Sequence, residues 1–260
     1  DTGEIEAALG GRLPKLVQLS DIKGDLHVHT KRSDGSHDFD ELIEAARTCG
    51  YEYIAITDHS KGLGIAHGLS EERLMEEKKE IDALNKKLKG FKLLAGVEVD
   101  IRGDGTMDFP DEILQQMDIV VASIHSGFRQ QRAQITQRLV SAMKNPYVSV
   151  IAHPTGRLIG ERDPYDVDMD EVLRVAKETG TAMEINAYPL RLDLNDVHAK
   201  LAKETGVPVV ISTDTHITSQ FNYMGYGVSI ARRGWLEKSD ILNTMGYGAL
   251  MKALEKKKMA

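Results

Sequence analysis

The chain carries a single cysteine, Cys49, in 260 residues. That excludes an internal disulfide framework and a cysteine-rich zinc module, and it suits a reducing compartment. Aromatics are also scarce: five Phe, eight Tyr and one Trp. So few give no reason to expect a base-stacking platform of the kind single-strand binders use. No apolar run approaches the roughly 18 to 20 residues of a membrane span. The first thirty residues also lack the basic and then apolar order of a signal peptide. A cationic excess is missing too, since 33 Lys and Arg face 40 Asp and Glu for a formal charge of −7. This argues against a nucleic-acid partner, unless some of the carboxylates hold divalent cations, each adding about two positive charges.

What is present is ordinary for a globular chain, with 41% hydrophobic and 28% charged residues. The length suits one large α/β domain or two small ones, and the expectation is a soluble, cytoplasmic protein without a membrane partner. The chain starts at Asp1 without Met. The stretch GEIEAALGGRLPKLVQLSDI reads as a polar linker with a short helix, so residues 1–22 are assigned to a linker and 23–260 to the main domain. That reading favours a piece of a longer polypeptide over a processed leader.

Four stretches share one order: a helical pattern, a glycine, then a short apolar run. They are DELIEAARTCG before YEYIAITDH, SEERLMEEKKEIDALNKKLKG before FKLLAGVEVD, DEVLRVAKETG before TAMEIN, and NDVHAKLAKETG before VPVVISTDTH. Gly50, Gly90, Gly180 and Gly206 stand where left-handed helix ends belong. Ser70 and Asn195 read as N-caps, and Lys86, Lys87 and Lys89 as a last turn. Cys49 is read onto the apolar face of its helix. With residues 25–29, 118–125 and 148–153, the chain offers seven strands, apolar almost throughout, as strands covered on both faces should be. An open doubly wound sheet and a closed barrel both fit that count.

The polar residues on these strands favour the barrel. His27 and His29 end the first strand with Asp34 beyond, and Asp58-His59 end the second. Glu98 lies on the third, His125 ends the fourth, His153-Pro154 the fifth, and Asp214 and His216 the seventh. Six of the nine histidines thus fall at C-terminal strand ends, which converge on one face in a barrel but spread along a line in an open sheet. Imidazoles and carboxylates in this number, without thiolates, suit zinc, manganese or iron and exceed the needs of one ion. Adjacent ions can activate water and clamp an oxyanion, as phosphoester hydrolysis requires. Asp58 is read as a group that orients a neighbouring imidazole, and Glu184 either as a ligand or as an interior salt-bridge partner. Gly62, Gly64 and Gly68 do not make a dinucleotide loop, because no helix opens there. Asp100, Asp104 and Asp108 read as a hairpin turn, because their spacing does not match a calcium loop.

The chain resembles the PHP (polymerase and histidinol phosphatase) domain family, and the resemblance spans nearly its whole length. The motifs run in order: His27-Val28-His29-Thr30 with Ser33-Asp34-Gly35, Thr57-Asp58-His59, Gly96-Val97-Glu98, Ser123-Ile124-His125, Ala152-His153-Pro154 and Ser212-Thr213-Asp214-Thr215-His216. Within that family it is similar to the C-terminal PHP domain of bacterial and archaeal family X DNA polymerases, notably in ITDHSKGLGIAHGL and MEINAYPLRLDLND. The resemblance implies an α/β fold, a distorted seven-stranded (β/α)7 barrel, TIM-like, with a trinuclear metal site at its C-terminal face.

By the same resemblance, one ion falls to His27, His29, Glu98 and Asp214, a second to Glu98, His125 and His153, and a third to Asp34, His59 and His216. The three divalent ions are manganese or zinc, with iron a further candidate. The implied activity is 3′–5′ exonuclease processing of DNA 3′ ends in repair, beside the polymerase domain of the same polypeptide. It uses a water activated on the ions, with Glu98, Asp214 and His125 among its supporting ligands. Lys61, His67, Arg129, Arg157 and Arg191, on loops at that face, are candidate substrate contacts. The alternatives are a small-molecule phosphomonoesterase of histidinol-phosphatase type, and a non-catalytic metal-stabilised module that positions the polymerase.

Overall fold

In the computed structural model, which describes residues 3–259, seven strands pair in chain order. They are β1 (Gly24–Val28), β2 (Tyr53–Ile56), β3 (Lys92–Asp100), β4 (Ile119–Ser123), β5 (Val150–Ile151), β6 (Ala182–Asn186) and β7 (Val209–Ser212), and every neighbouring pair is parallel. The ring closes where the His29 N–H donates to Thr215 O at 2.8 Å and the Thr215 N–H to His27 O at 3.2 Å. This is the barrel that the strand-end residues favour, in the distorted (β/α)7 form that the family resemblance implies. Among the described residues, no helix is long and apolar enough to cross a membrane.

Among the described residues, nine α-helices surround or extend the barrel: α1 (Glu4–Leu9), α2 (Phe39–Thr48), α3 (Glu71–Asn85), α4 (Asp111–Leu114), α5 (Arg132–Lys144), α6 (Met169–Thr179), α7 (Asp196–Thr205), α8 (Met224–Arg233) and α9 (Tyr247–Lys258). Local chemistry sets their ends. The Ser70 and Asn195 side chains accept from the Arg73 and His198 N–H groups and open α3 and α7. α6 and α7 stop on Gly180 and Gly206 at φ 68° and 77°, the left-handed region where a side chain is strained.

Two readings need correction. α3 ends at Asn85, before Lys86, Lys87 and Lys89, because the Asn85 amide pairs instead with the Leu93 backbone at 2.8 and 2.9 Å. Cys49 is exposed and not in the core, because α2 ends at Thr48 and Cys49 caps it.

Side-chain alternation separates two apolar layers. Ile54 and Ile56 pack outward with the helices, whereas Tyr53, Ala55 and Leu94 fill the barrel with Val121 and Val210. Leu250 and Leu254 of α9 join that inner cluster. Residues 16–22 lie against the body: Val17 is buried, its N–H donates to Leu236 O at 3.0 Å, and Leu16 bridges Glu237.

Candidate metal centre

Strand register delivers the functional side chains. Glu98 shares its side of β3 with Leu94 and so enters the barrel, as Glu184 does between the outward Met183 and Ile185. On β1 the register shifts between Asp25 and Val28. Leu26 packs inside and Val28 outside, and His27 and His29 flank Val28 on the inner side, where both face Glu98. His153 and Asp214 sit in left-handed backbone, φ 29° and 55°. Such strain persists where neighbours over-determine it, and here the His153 N–H is held by Glu184 Oε2 at 2.7 Å.

The nine expected ligands converge. His27 Nε2 lies 3.3 Å from Glu98 Oε2 and 3.6 Å from Asp214 Oδ1, while His29 Nε2 lies 3.6 and 3.2 Å from the same two atoms. Glu98 Oε1 stands 3.4 Å from His125 Nε2 and 3.1 Å from His153 Nε2. Asp34 reaches His59 Nε2 at 3.4 Å and His216 Nε2 at 3.3 Å. A tetrahedral ion with bonds near 2.1 Å sets its ligands about 3.4 Å apart, so these separations match donors around shared centres. The ligand atoms of His29, Asp34, His59 and His216 all lie within 4.8 Å of one another, as do those of His27, His29 and Asp214 and those of His59, Glu98 and His125. The three sets share His29 and His59, so they form one continuous cage.

Two features fit a cation. His27 Nε2 and both ring nitrogens of His29 are buried without any hydrogen-bond partner, a costly state unless they bind something. The charges point the same way. Burial alone would raise the Glu98 and Asp214 pKa values, yet the surrounding imidazoles hold both well below the carboxylate range. Burial opposes charge on His59 too, but Glu98 and Asp34 push it up to about 10. The buried carboxylates are thus kept ionised by positive charge on the imidazoles around them, a charge that a bound cation would supply in the imidazoles' place.

An outer layer fixes the rings. Nδ1 of His27 pairs with Glu184 at 2.7 Å, Nδ1 of His125 with Asp100 at 2.7 Å, and Nδ1 of His216 with the Asp214 carbonyl at 2.8 Å. A proton at each Nδ1 leaves the Nε2 lone pair facing inward. Glu184 is therefore an interior partner of His27, one of its two expected roles. Asp100 was read only as part of a hairpin. That hairpin exists, with Ile101 pairing antiparallel to Met107, but its carboxylate also orients His125. Asp58 differs from expectation. It accepts from Thr30 N, Thr30 Oγ1 and Ser33 Oγ at 2.7, 2.5 and 2.6 Å, so it ties down the loop that carries Asp34 instead of orienting an imidazole.

The cage opens into a cavity of about 380 Å³. Of the five candidate substrate contacts, Arg191 lines it, with Nε 3.5 Å from Asp214 Oδ2 and Nη1 buried without a partner. Lys61 pairs with Glu71 at 2.6 Å, and Arg157 donates to the carbonyls of Arg191 and Leu192. His67 and Arg129 are exposed outside the cavity lining. Arg162 and Phe128 do line it, and neither was anticipated. Nothing local in the sequence marks them, since they meet only when the loops after β4 and β5 come together.

The PHP domain family model matches residues 25–188. The chain is 50% identical over 229 residues to the DNA polymerase/3′-5′ exonuclease PolX of Bacillus subtilis (strain 168), covering 88% of this chain and 40% of that protein. It therefore spans well under half of that relative's length. A "probable phosphatase" of Thermoanaerobacter sp. (strain X514) is 30% identical over 248 residues, covering 90% of this chain and 95% of the relative. Among solved structures, histidinol phosphate phosphatase of Lactococcus lactis, complexed with zinc, L-histidinol and phosphate, superposes with a TM-score of 0.60. It is 19% identical, over 82% of this chain and 93% of that one, a likeness of fold.

Proposed function

The chain belongs to the PHP domain family of metal-dependent phosphoesterases, and on that premise we propose that it removes nucleotides from DNA 3′ ends as a 3′–5′ exonuclease serving repair. The observation that carries this reading is one cage of six imidazoles and three carboxylates opening beside the unpartnered Arg191 Nη1. DNA as the substrate is supported by the half-identical relative whose name couples a polymerase to a 3′–5′ exonuclease. In a polypeptide of that kind, the polymerase part would present the 3′ end.

His27, His29, Glu98 and Asp214 would hold one divalent cation, Glu98, His125 and His153 a second, and Asp34, His59 and His216 a third. Manganese and zinc suit these donors, as does iron. When bound, such cations lower the pKa of water and offset charge on the phosphate. The protein's own part is positional. Glu184 and Asp100 keep protons on Nδ1 of His27 and His125. Arg191 offers Nη1–H to a phosphate oxygen, a charge-assisted bond. Asp58 fixes the Asp34 loop.

The test is a 5′-labelled DNA primer incubated with and without manganese, beside His27→Ala and Asp214→Ala. A ladder of shortened products that needs both the metal and the ligands is expected. A metal-loaded protein that leaves the primer intact but releases phosphate from small esters would instead favour the phosphomonoesterase reading. That second reading is supported by the relative called a phosphatase, which aligns over nearly its whole length.

A further inference from the structure

His125 and its carboxylate partner Asp100 stand where the barrel ends. Asp100 is the last residue of β3, and His125 lies two residues past the end of β4. The Ile101 N–H still donates to Ser123 O at 2.8 Å. Beyond that bond the two chains part, one into the hairpin in which Ile101 pairs with Met107 and the other into the loop that leads to α5. His27 and Glu184 make the same kind of pair inside the barrel, with neither side chain exposed, whereas His125 and Asp100 are 14% and 13% exposed. A ring that hangs on one carboxylate at the rim keeps its direction only if the backbone on both sides is fixed.

Arg138 of α5 fixes both. It is 2% exposed, its Nη1 donates to Ser126 O at 2.8 Å, and its Nη2 donates to Ile101 O. These are the carbonyls of the residues directly after His125 and directly after Asp100. Nη1 also donates to Gln130 Oε1 at 2.8 Å, and the Gln130 amide donates to Gly103 O at 3.2 Å, so loop and hairpin are tied a second time. The loop comes this close because Gly127, at φ 70°, has no Cβ; one built there would stand 3.1 Å from Nη1. None of the acceptors is a carboxylate, and Nε has no partner among the described residues. A buried cation with only neutral acceptors is a costly way to fill space, which a well-packed apolar side chain fills as well or better. What arginine adds is a flat, rigid fork whose donors point in fixed directions.

We infer that Arg138 is a positioning residue for the ion given above to Glu98, His125 and His153. By holding the backbone after His125 and after Asp100 it sets the geometry of that pair, and through it the direction of His125 Nε2. Buried behind the loops, Arg138 offers no ligand atom itself. The inference rests on the metal-centre reading above and adds a residue outside the cage on which one of its ions depends.

The experiment titrates the full 260-residue chain with manganese alone, by calorimetry, for the wild type, Asp100→Asn, Arg138→Lys and the double variant. Asp100→Asn should weaken one manganese site by about 10- to 100-fold, as loss of a ring's orienting partner does elsewhere. Arg138→Lys keeps the charge but loses the fork, and should weaken one site by about tenfold, the lower end of that range. The two losses should not multiply: the double variant should bind manganese within about twofold of Asp100→Asn alone, because both act through the same ring. Tm should fall by several degrees when Arg138→Lys is made in either background. A merely structural arginine would show that fall and nothing else. Wild-type manganese affinity in Arg138→Lys, or a loss that multiplies with that of Asp100→Asn, overturns the inference. If Arg138→Lys does not fold, Gln130→Ala decides, at a partly buried loop position. It removes one acceptor and the tie to Gly103, and should weaken one site by about three- to tenfold, the worth of one hydrogen bond, with no further loss in the Asp100→Asn background. An unchanged affinity there overturns the inference too. If Asp100→Asn itself binds manganese like the wild type, the reading of His125 as an oriented ligand falls, and the role of Arg138 with it. A wild type that binds no manganese overturns the metal centre as a whole.

Discussion

His27 Nδ1 lies 2.7 Å from Glu184 Oε1, and neither side chain exposes any surface. The other Glu184 oxygen accepts from the His153 N–H at 2.7 Å and the Asn186 amide at 3.2 Å. One carboxylate therefore orients the ring of one ligand and the backbone of another. Glutamine has a single acceptor oxygen for these donors and would turn an N–H against one of them. Glu184→Gln should weaken metal binding by about 10- to 100-fold, as loss of such a partner does elsewhere. Titration calorimetry with manganese would show it, and an unchanged affinity would remove Glu184 from this role.

Asp34 supplies the least buried carboxylate of the cage and is the link between His59 and His216. Asp34→Ala leaves the buried His27 and Glu98 untouched and takes from His29 only a 3.8 Å contact. Elemental analysis should find about one metal equivalent fewer per chain, and hydrolysis should fall by at least about a hundredfold, since each ion contributes several kcal/mol to such reactions. A full complement of metal in the variant would contradict a separate ion at this corner.

The barrel and the cluster of imidazoles and carboxylates at its mouth were legible because each strand is a short apolar run and the polar residues stand at its end, where parallel strands must converge. His27 and His29 needed only that their strand be recognised. The side chains that line the cavity were not legible in the same way. A long side chain on a loop goes wherever tertiary contacts take it: Lys61 to Glu71, Arg157 to two carbonyls, and Arg162 onto Phe128. Composition counts phenylalanines but cannot say that one of them, Phe128, lines the metal cavity.

Asp193 gives a pH dependence with a definite sign. It is fully buried, with one oxygen accepting from the Thr155 N–H at 2.9 Å and the other without a partner. Burial raises its pKa from 3.8 to about 6, against the opposing pull of Thr155, Arg157 and Arg191. A carboxyl whose folded pKa is raised binds its proton more tightly when folded. Its presence therefore costs stability progressively as pH rises from about 4 through about 6, and by a constant amount above that. Asn at 193 cannot ionise yet keeps an acceptor for Thr155. In urea unfolding without added metal, the stability of Asp193→Asn relative to wild type should increase by on the order of 3 kcal/mol between pH 4 and 7. A difference that stays flat over that range would refute the assignment.

Arg157 and Arg191 were both candidates for gripping phosphate, and the structure gives them different work. Arg191 Nη1 is buried and unpartnered at the cavity. The Arg157 guanidinium instead donates to the carbonyls of Arg191 and Leu192, the latter residue in left-handed backbone at φ 45°. Arg157 thus holds the loop from which Arg191 reaches. Arg191→Ala should lower kcat/KM on a phosphate ester by about 10- to 100-fold, the worth of one to two charge-assisted bonds, with little change in Tm. Added guanidinium ion should restore part of that loss. Arg157→Ala leaves two carbonyls without their donor, so it should cost about 1–3 kcal/mol of stability and lower Tm by several degrees. Its smaller loss of kcat/KM should not be rescued by guanidinium, because what is lost is the position of Arg191 and not a contact with substrate. If guanidinium rescued Arg157→Ala and not Arg191→Ala, the two roles would have to be exchanged.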